Sequence, residues 1–436
     1  MSRRWLLTLP AAALLAAGCA SVPRDAGIGE VRQAVEERGG QRLAWEPAQP
    51  IEPPTSEPLQ PFLAGELTIE GAVEIALAQN RDLLATLEEL GVARADLIAA
   101  STIRNPLLDG EIRFPGRPAR PFEIALTQTL IDLLQLGRRR ALGQAEFEAA
   151  RLRVTGAVLA FAVEVRADYY TLQAAQHALV QQQTIAAAAE ASAELARRQH
   201  EAGNVSDLDL ESEQALYERA KLDLARTQLD ELEARERLLA GLGAPDSLPL
   251  TLPPQAPPGP PEDTETERSP DEVEAALAQR IDLTLAQAEV ETARRALPLA
   301  RSAVYDELAL GVHREREPDR TRTTGPAVTI PIPLFDRGLA GRTRAVAKLR
   351  TAEQRLHALT VAARSELRAA SERLAEARAR ADYLRTVALP RRQRILQLTQ
   401  LEYNAMQRGP FDLIRVRQGL ADAEREQVLA IRDYWL

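Results

Sequence analysis

Few residues in this 436-residue chain could do covalent or metal chemistry, and where they stand narrows the field. The four histidines (His177, His200, His313 and His357) fall at no metal-ligand spacing, and the two methionines, Met1 and Met406, form no soft-metal path. Neither a phosphate-cradling loop nor a dinucleotide glycine fingerprint occurs, so energy for any work must come from a partner. No catalytic residues, metal or cofactor are expected, and the chain does not read as an enzyme. The single cysteine, Cys19, cannot close an intramolecular disulfide, which leaves modification as the chemistry open to its thiol.

The surroundings of Cys19 fit that chemistry. Arg3 and Arg4 form a positive start, residues 6–17 are a short apolar run, and Ala16-Ala17-Gly18 precede the cysteine. The run is too short to span a bilayer. Leu15-Ala16-Ala17-Gly18-Cys19 resembles a bacterial lipobox, departing from it at Ala16, where that motif more often has Leu. Residues 1–18 then read as a lipoprotein signal peptide and Cys19 as the lipid anchor, and Ala20 resembles outer-membrane rather than inner-membrane sorting.

Composition turns attention from sites to elements. Ala, Leu, Arg, Glu and Gln dominate and aromatics make up only 4%, a long-helix or coiled-coil composition. The net charge of −9 and the pI near 5.3, with both signs interleaved, leave no basic stripe for nucleic acid.

The plan is written twice, at an offset of about 200 residues. Ala76-Leu77-Ala78-Gln79 recurs as Ala276-Leu277-Ala278-Gln279, and Asp82-Leu83 as Asp282-Leu283. Residues 19–66 read as a lipid-anchored, Pro-rich tether, 67–243 as repeat 1, 244–268 as a Pro-rich linker and 269–436 as repeat 2. Repeat 1 is expected to hold a helix, strands near 106–114 and 122–130, a long helix near 138–200 and a helix near 206–241. Repeat 2 is expected to hold a helix, strands near 307–314 and 326–333, a long helix near 338–407 and a helix near 410–436. At 1.5 Å per residue the first long helix measures roughly 95 Å and its two shorter companions roughly 50 Å each, so two short helices match one long one. Pro390 should interrupt the second long helix.

Apolar residues in the first long helix follow two stripes. Phe147, Val154, Val158, Phe161, Val165, Leu172 and Leu179 make one; Leu142, Ala149, Leu152, Leu159, Val163 and Tyr170 make the other. Two stripes call for two neighbours, as in a curved wall of helices. The short segments alternate with period two: Leu108, Ile112 and Phe114 oppose Asp109, Glu111 and Arg113, and Phe122, Ile124 and Leu126 oppose Glu123, Thr127 and Thr129. Leu310 and Val312 against His313, and Val328 and Ile330 against Thr329, repeat the pattern. Each run is about nine residues long, the length of a tilted membrane strand, with aromatics at its ends. Four such strands cannot close a barrel and open edges are not tolerated in lipid, so the chain must oligomerise.

The duplicated strand–strand–long-helix plan resembles the TolC-like outer-membrane efflux proteins. So do Ile332-Pro333-Leu334-Phe335-Asp336-Arg337-Gly338 after the fourth strand, Gly203-Asn204-Val205-Ser206 and the segment 403–413. That resemblance covers essentially the whole chain from Cys19. It implies a mainly α fold with a small membrane β portion, two tandem repeats, and a homotrimer with a 12-strand barrel and a helical tunnel. It further implies outer-membrane lipid around the barrel, a periplasmic adaptor and an inner-membrane pump as partners, and a passive exit duct in a tripartite efflux or type I-like export system. Carried over residue by residue, the turn pattern places Gly203, Asn204, Arg408 and Gly409 at adaptor-contacting turns and Asp209 and Asp412 at the periplasmic aperture. Arg415 stands where many relatives have a second acid and is positioned to pair with Asp412. The second turn, Arg408-Gly409-Pro410-Phe411, reads as shortened between glycine and aspartate. First-turn acids also interact favourably with the helix dipole, a role compatible with gating. The alternative is an exported coiled-coil lipoprotein scaffold or periplasmic adaptor, although adaptors need longer β-rich stretches than this chain offers.

Overall fold

The computed structural model describes residues 27–43, 45, 65–112, 114, 122–244, 250–253, 257–261, 270–317, 319 and 321–436. In chain order these form α1 (Ile28–Gly39), α2 (Ile69–Gln79), α3 (Arg81–Ser101), β1 (Leu107–Ile112), β2 (Phe122–Thr129), α4 (Leu130–Glu201) and α5 (Asp207–Gly241). They continue with α6 (Pro270–Ala278), α7 (Ile281–Ser302), β3 (Ala309–Arg316), β4 (Arg322–Thr329), α8 (Leu339–Tyr383), α9 (Leu389–Asn404) and α10 (Pro410–Trp435). The architecture is mainly helical with one small sheet, and both halves repeat the same order of elements. No described helix is long and apolar enough to cross a membrane.

The expected boundaries shift where local chemistry decides. Helix α4 starts at Leu130, eight residues before the expected 138, because β2 runs straight into it and the Leu130 amide donates to the Leu308 carbonyl at 2.8 Å. At 72 residues it is about 108 Å long. Strand β4 occupies Arg322–Thr329 rather than 326–333, since Pro331 and Pro333 have no amide to donate to a ladder. The stretch expected to be a tether contains α1, whose Ile28, Val31 and Val35, spaced three and four apart, are all buried.

Each leading helix of a repeat is broken in two, at the residue after the duplicated Ala-Leu-Ala-Gln. Asn80 has an extended backbone; its Oδ1 accepts from the Leu83 amide at 3.0 Å, and its Nδ2 donates to the Ala240 and Gly241 carbonyls at 3.4 and 3.2 Å. Arg280 takes the same extended conformation, and its guanidinium grips Asp282 at 3.0 and 2.7 Å. Before Pro390 the second long helix widens into a π turn, Leu384–Ala388, which accommodates the missing proline amide.

The chain divides into two compact units. One contains Ala85–Gly156 and Ala275–Ala363 with part of the N-terminal stretch, and the other Val35–Leu84, Ala157–Glu274 and Arg364–Leu436. In the first, Leu87, Leu90 and Val154 are buried. Helices α3 and α4 approach closely there: a Cβ on Gly143 would lie 2.9 Å from the Ala100 Cβ. In the second, Leu77, Leu172, Leu238 and Leu242 form the interior, and the Tyr169 hydroxyl donates to the Leu67 carbonyl at 2.9 Å. Tyr170 stacks on Trp435 with ring centroids 5.3 Å apart, and the Trp435 indole donates to the Pro258 carbonyl at 2.7 Å.

Of the two stripes on α4, the first is buried at Val154, Val158, Val165 and Leu172; in the second Ala149 is buried and Val163 exposed. Helix α8 is covered less still, with only Ala363, Ala377 and Ala381 buried along its face. One copy of the chain therefore leaves apolar residues exposed on both helices: Leu133, Leu134, Val163 and Val180 on α4, and Leu339, Val361 and Leu374 on α8.

Candidate functional site

The sheet runs in the order β1-β2-β3-β4, all antiparallel, with β1 and β4 as open edges. The register aligns Leu108, Leu126, Val312 and Pro326 in one row, and Gln128, Leu310 and Val328 in the row nearer the helices. Strand alternation puts these residues on one face together with Ile112 and Ile124, and Asp109, Glu111, Glu123, His313 and Glu315 on the other. The apolar face has no cover: Leu108 is 72% exposed and Val312 54%. Exposed Ile330, Ile332 and Leu334 continue it beyond β4, ending at fully exposed Phe335. Such a face suits contact with hydrocarbon, the opposite face an aqueous interior.

Where the sheet meets the helices, a buried acid holds the joint. Asp132 lies in the first turn of α4 with its side chain 2% exposed. It accepts from Arg104 Nε and Nη2, each at 2.7 Å, and from Arg139 Nη1 at 3.1 Å. Arg139 also donates to the Ala99 carbonyl at 3.3 Å, and Gln128 Nε2 to the Arg104 carbonyl at 3.1 Å. The hydrogen bonds from Arg104 hold the Asp132 carboxyl below its ordinary pKa, overcoming the opposing effect of burial.

At the far end of each long helix is a turn built on one template. Helix α4 closes with Gly203 at φ +74°, its amide donating to the His200 carbonyl at 2.8 Å while the Asn204 amide reaches Gln199 at 2.9 Å. These two bonds make a Schellman motif. Helix α9 closes the same way, the Met406 amide donating to Tyr403 at 2.9 Å and the Gln407 amide to Glu402 at 2.8 Å. The left-handed residue there is Met406, at φ 58° and 94% exposed.

This corrects the correspondence expected from sequence. The counterpart of Gly203 is Met406, not Gly409, and Gly409 is the N-cap of α10, as Ser206 is of α5. Both turns therefore have the same length, Gly203 to Ser206 and Met406 to Gly409, and Asp209 and Asp412 each stand third after their cap. The apparent shortening comes from a glycine that has changed places.

The two tips differ in how their acids are engaged. Ser206 Oγ accepts from the Asp209 amide at 3.2 Å, capping α5, and donates to Asp209 Oδ2 at 2.7 Å, which engages the carboxylate locally. Asp207 binds His200 Nε2 at 2.7 Å, joining α5 to the last turn of α4. Just before that last turn, hydrogen bonds from Arg197 and Arg198 pull the exposed Glu194 carboxyl down to about 2. At the second tip Gly409 offers no side-chain cap, and Arg408 binds Glu402 at 2.9 Å. Among the described residues the side chains of Asp412 and Arg415 have no partner, so no Asp412–Arg415 pair forms within one chain. Cys19 lies outside the described residues.

Sequence reasoning did not identify Asp132 or the left-handed Met406, and it named Ser206 only as part of the turn signature, not as the cap of α5. An acid inside the apolar run Leu130-Ile131-Asp132-Leu133-Leu134 was a usable signal, and so was Ser206 three residues before an acid; a methionine carries no cue for positive φ.

Comparison with known proteins agrees with this geometry. A model of the family described as outer membrane efflux protein matches residues 72–244, close to the extent of the first repeat. The cobalt-zinc-cadmium resistance protein CzcC of Cupriavidus metallidurans is 24% identical over 366 residues, 83% of this chain and 85% of that protein. The solved CmeC outer membrane channel of Campylobacter jejuni matches with a TM-score of 0.70 at 18% identity, covering 90% of this chain and 88% of that one. The outer membrane protein VceC of Vibrio cholerae matches with a TM-score of 0.64 at 16% identity, covering 88% and 96%.

Proposed function

The chain belongs to the outer membrane efflux protein family, and on that premise we propose that it is the outer-membrane duct of a tripartite efflux system, passive and assembled from three copies. The observation that carries this reading is the four-stranded sheet, apolar on one face and polar on the other, open at β1 and β4 and running directly into the long helix α4. Three copies would pair the open edges into a closed twelve-strand barrel, the form in which strands can stand in lipid. The same assembly would cover the exposed faces of α4 and α8 and direct Asp109, Glu123 and His313 into a wet lumen.

In this assembly Cys19 carries the lipid anchor, and the tips at Gly203, Asn204, Arg408 and Gly409 meet a periplasmic adaptor, which couples the duct to an inner-membrane pump. Asp209, Asp412 and Arg415 lie just past those turns and form the aperture. Because Asp412 and Arg415 have no partner among the described residues, the contact that closes the tip would come from a neighbouring copy. The likeness to CzcC makes cobalt, zinc and cadmium the first cargoes to assay.

Membrane fractionation with gel analysis of unheated samples tests the reading. Sedimentation with outer membranes and a trimer that collapses to monomer on heating are expected. A soluble monomer, after removal of any lipid, would instead favour the scaffold reading.

A further inference from the structure

At the loop end of the sheet two arginines face each other. Arg316 and Arg322 are directly opposed across β3 and β4, and Arg314 lies two residues from Arg316 on the same strand face. Like charges opposed across an antiparallel pair destabilise it unless an anion lies between them. Among the described residues none of the three guanidinium groups has an ion-pair partner, and the Arg316 Nε is buried without an acceptor. The nearby carboxylates Glu315, Glu317 and Asp319 make no ion pair with these arginines among the described residues. Glu315 alternates to the opposite face, and Asp319 takes both the amide and the hydroxyl of Thr321 at 2.8 Å.

The face they occupy is the apolar one. Arg316 lies beside Phe122 in the register, Arg314 beside Ile124, and Val312 beside Leu126 one row further in. Arg316 stands six residues from Leu310, roughly 20 Å along the strand. A hydrocarbon-facing band thus ends in an aromatic residue and a triad of uncompensated cations. The opposite ends of the strands run into α4 and toward α8, so the triad lies at the end away from the helices.

We propose that Arg314, Arg316 and Arg322 bind the phosphate groups of outer-leaflet lipid, whose acyl chains lie along the Leu126 and Val312 rows. This rests on the reading that the sheet stands in the outer membrane with its hairpin loops outward. Guanidinium groups bind phosphate oxygens in bidentate fashion, and one phosphate between Arg316 and Arg322 relieves their repulsion. The site is repeated in each copy, so a trimer carries a belt of three.

Native mass spectrometry of the full-length protein, purified in a neutral detergent, tests this with bisphosphorylated lipid A, dephosphorylated lipid A and inorganic phosphate as probes. Wild type should retain the bisphosphorylated lipid about tenfold better than the R314Q/R316Q/R322Q variant, and the R314K/R316K/R322K variant should recover most of the difference. Wild type should also prefer the phosphorylated over the dephosphorylated lipid. Equal retention of the two lipids by wild type would overturn the proposal even if the glutamine variant failed to fold. Equal retention by wild type and a folded glutamine variant would overturn it too, and displacement by millimolar inorganic phosphate would exclude a lipid as the occupant. Planar-bilayer conductance of the same wild-type sample separates the two readings. Absence of channels would remove the duct, whereas channels without phosphate-dependent lipid retention would remove only the arginine site.

Discussion

Arg104 holds Asp132 through two parallel hydrogen bonds of 2.7 Å, Nε to Oδ2 and Nη2 to Oδ1, where the sheet gives way to the long helix. The geometry is the bidentate fork-to-fork pairing of a guanidinium with a carboxylate. Arg104 itself is largely exposed while Asp132 is buried, so the acid depends on the arginine more than the reverse. The pair ties the segment before β1 to the residues after β2 at the point where a strand ladder must become a helix.

Replacing Asp132 with Asn should lower stability at neutral pH by about 1–3 kcal/mol, because both arginines lose their charged acceptor. The sign of the pH dependence follows from the depressed carboxyl. A carboxylate whose folded pKa lies below its unfolded value near 4 stabilises fully above that value, and loses the contribution as pH falls through the folded pKa. Thermal unfolding of wild type and variant should therefore differ at pH 7 and converge toward pH 2. A constant difference across that range would show that Asp132 acts by shape alone.

The helix tips offer a local test. Met406 holds a left-handed conformation that glycine adopts without strain, so Met406→Gly should stabilise the second turn by about 1 kcal/mol. Gly203→Ala, at φ +74°, should weaken the first turn by a similar amount. Hydrogen exchange should show the Gln407 amide better protected in the first variant and the Asn204 amide less protected in the second. Opposite changes would mean that the turns are held by contacts between copies, not by their own backbone.

Aperture control should divide unequally between the two acids. Asp209 is engaged by Ser206, while Asp412 has no side-chain partner among the described residues. Asp209→Ala with Asp412→Ala should raise single-channel conductance, and Asp412→Ala alone should account for most of the rise. Conductance unchanged in the double variant would remove both residues from the aperture. Ser206→Ala should leave conductance near wild type while costing α5 about 1 kcal/mol of capping.

The strands were legible because period two is strict in them: Leu108, Leu126 and Val312, picked out by alternation, stand in one row of the sheet. The duplication was legible from Ala-Leu-Ala-Gln, but not its consequence. Asn80 and Arg280 break their helices through side-chain bonds to distant or neighbouring groups, while the sequence around them keeps a helical period. The pairing of the two turns is not legible in the sequence, because a methionine and not a glycine holds the left-handed position of the second turn. Met406 occupies that position under the constraint of the Tyr403 and Glu402 carbonyls. The Arg316–Arg322 opposition depends on register, which alternation within one strand does not reveal.

The central claim is that three copies of this chain close into a conducting duct. Single-channel recording on the purified full-length protein in a planar bilayer, with its mass measured natively in the same detergent, tests it most directly. The account predicts a three-chain particle that inserts and conducts in discrete steps of uniform size. A particle of one chain, or a three-chain particle that inserts without conducting, would contradict it.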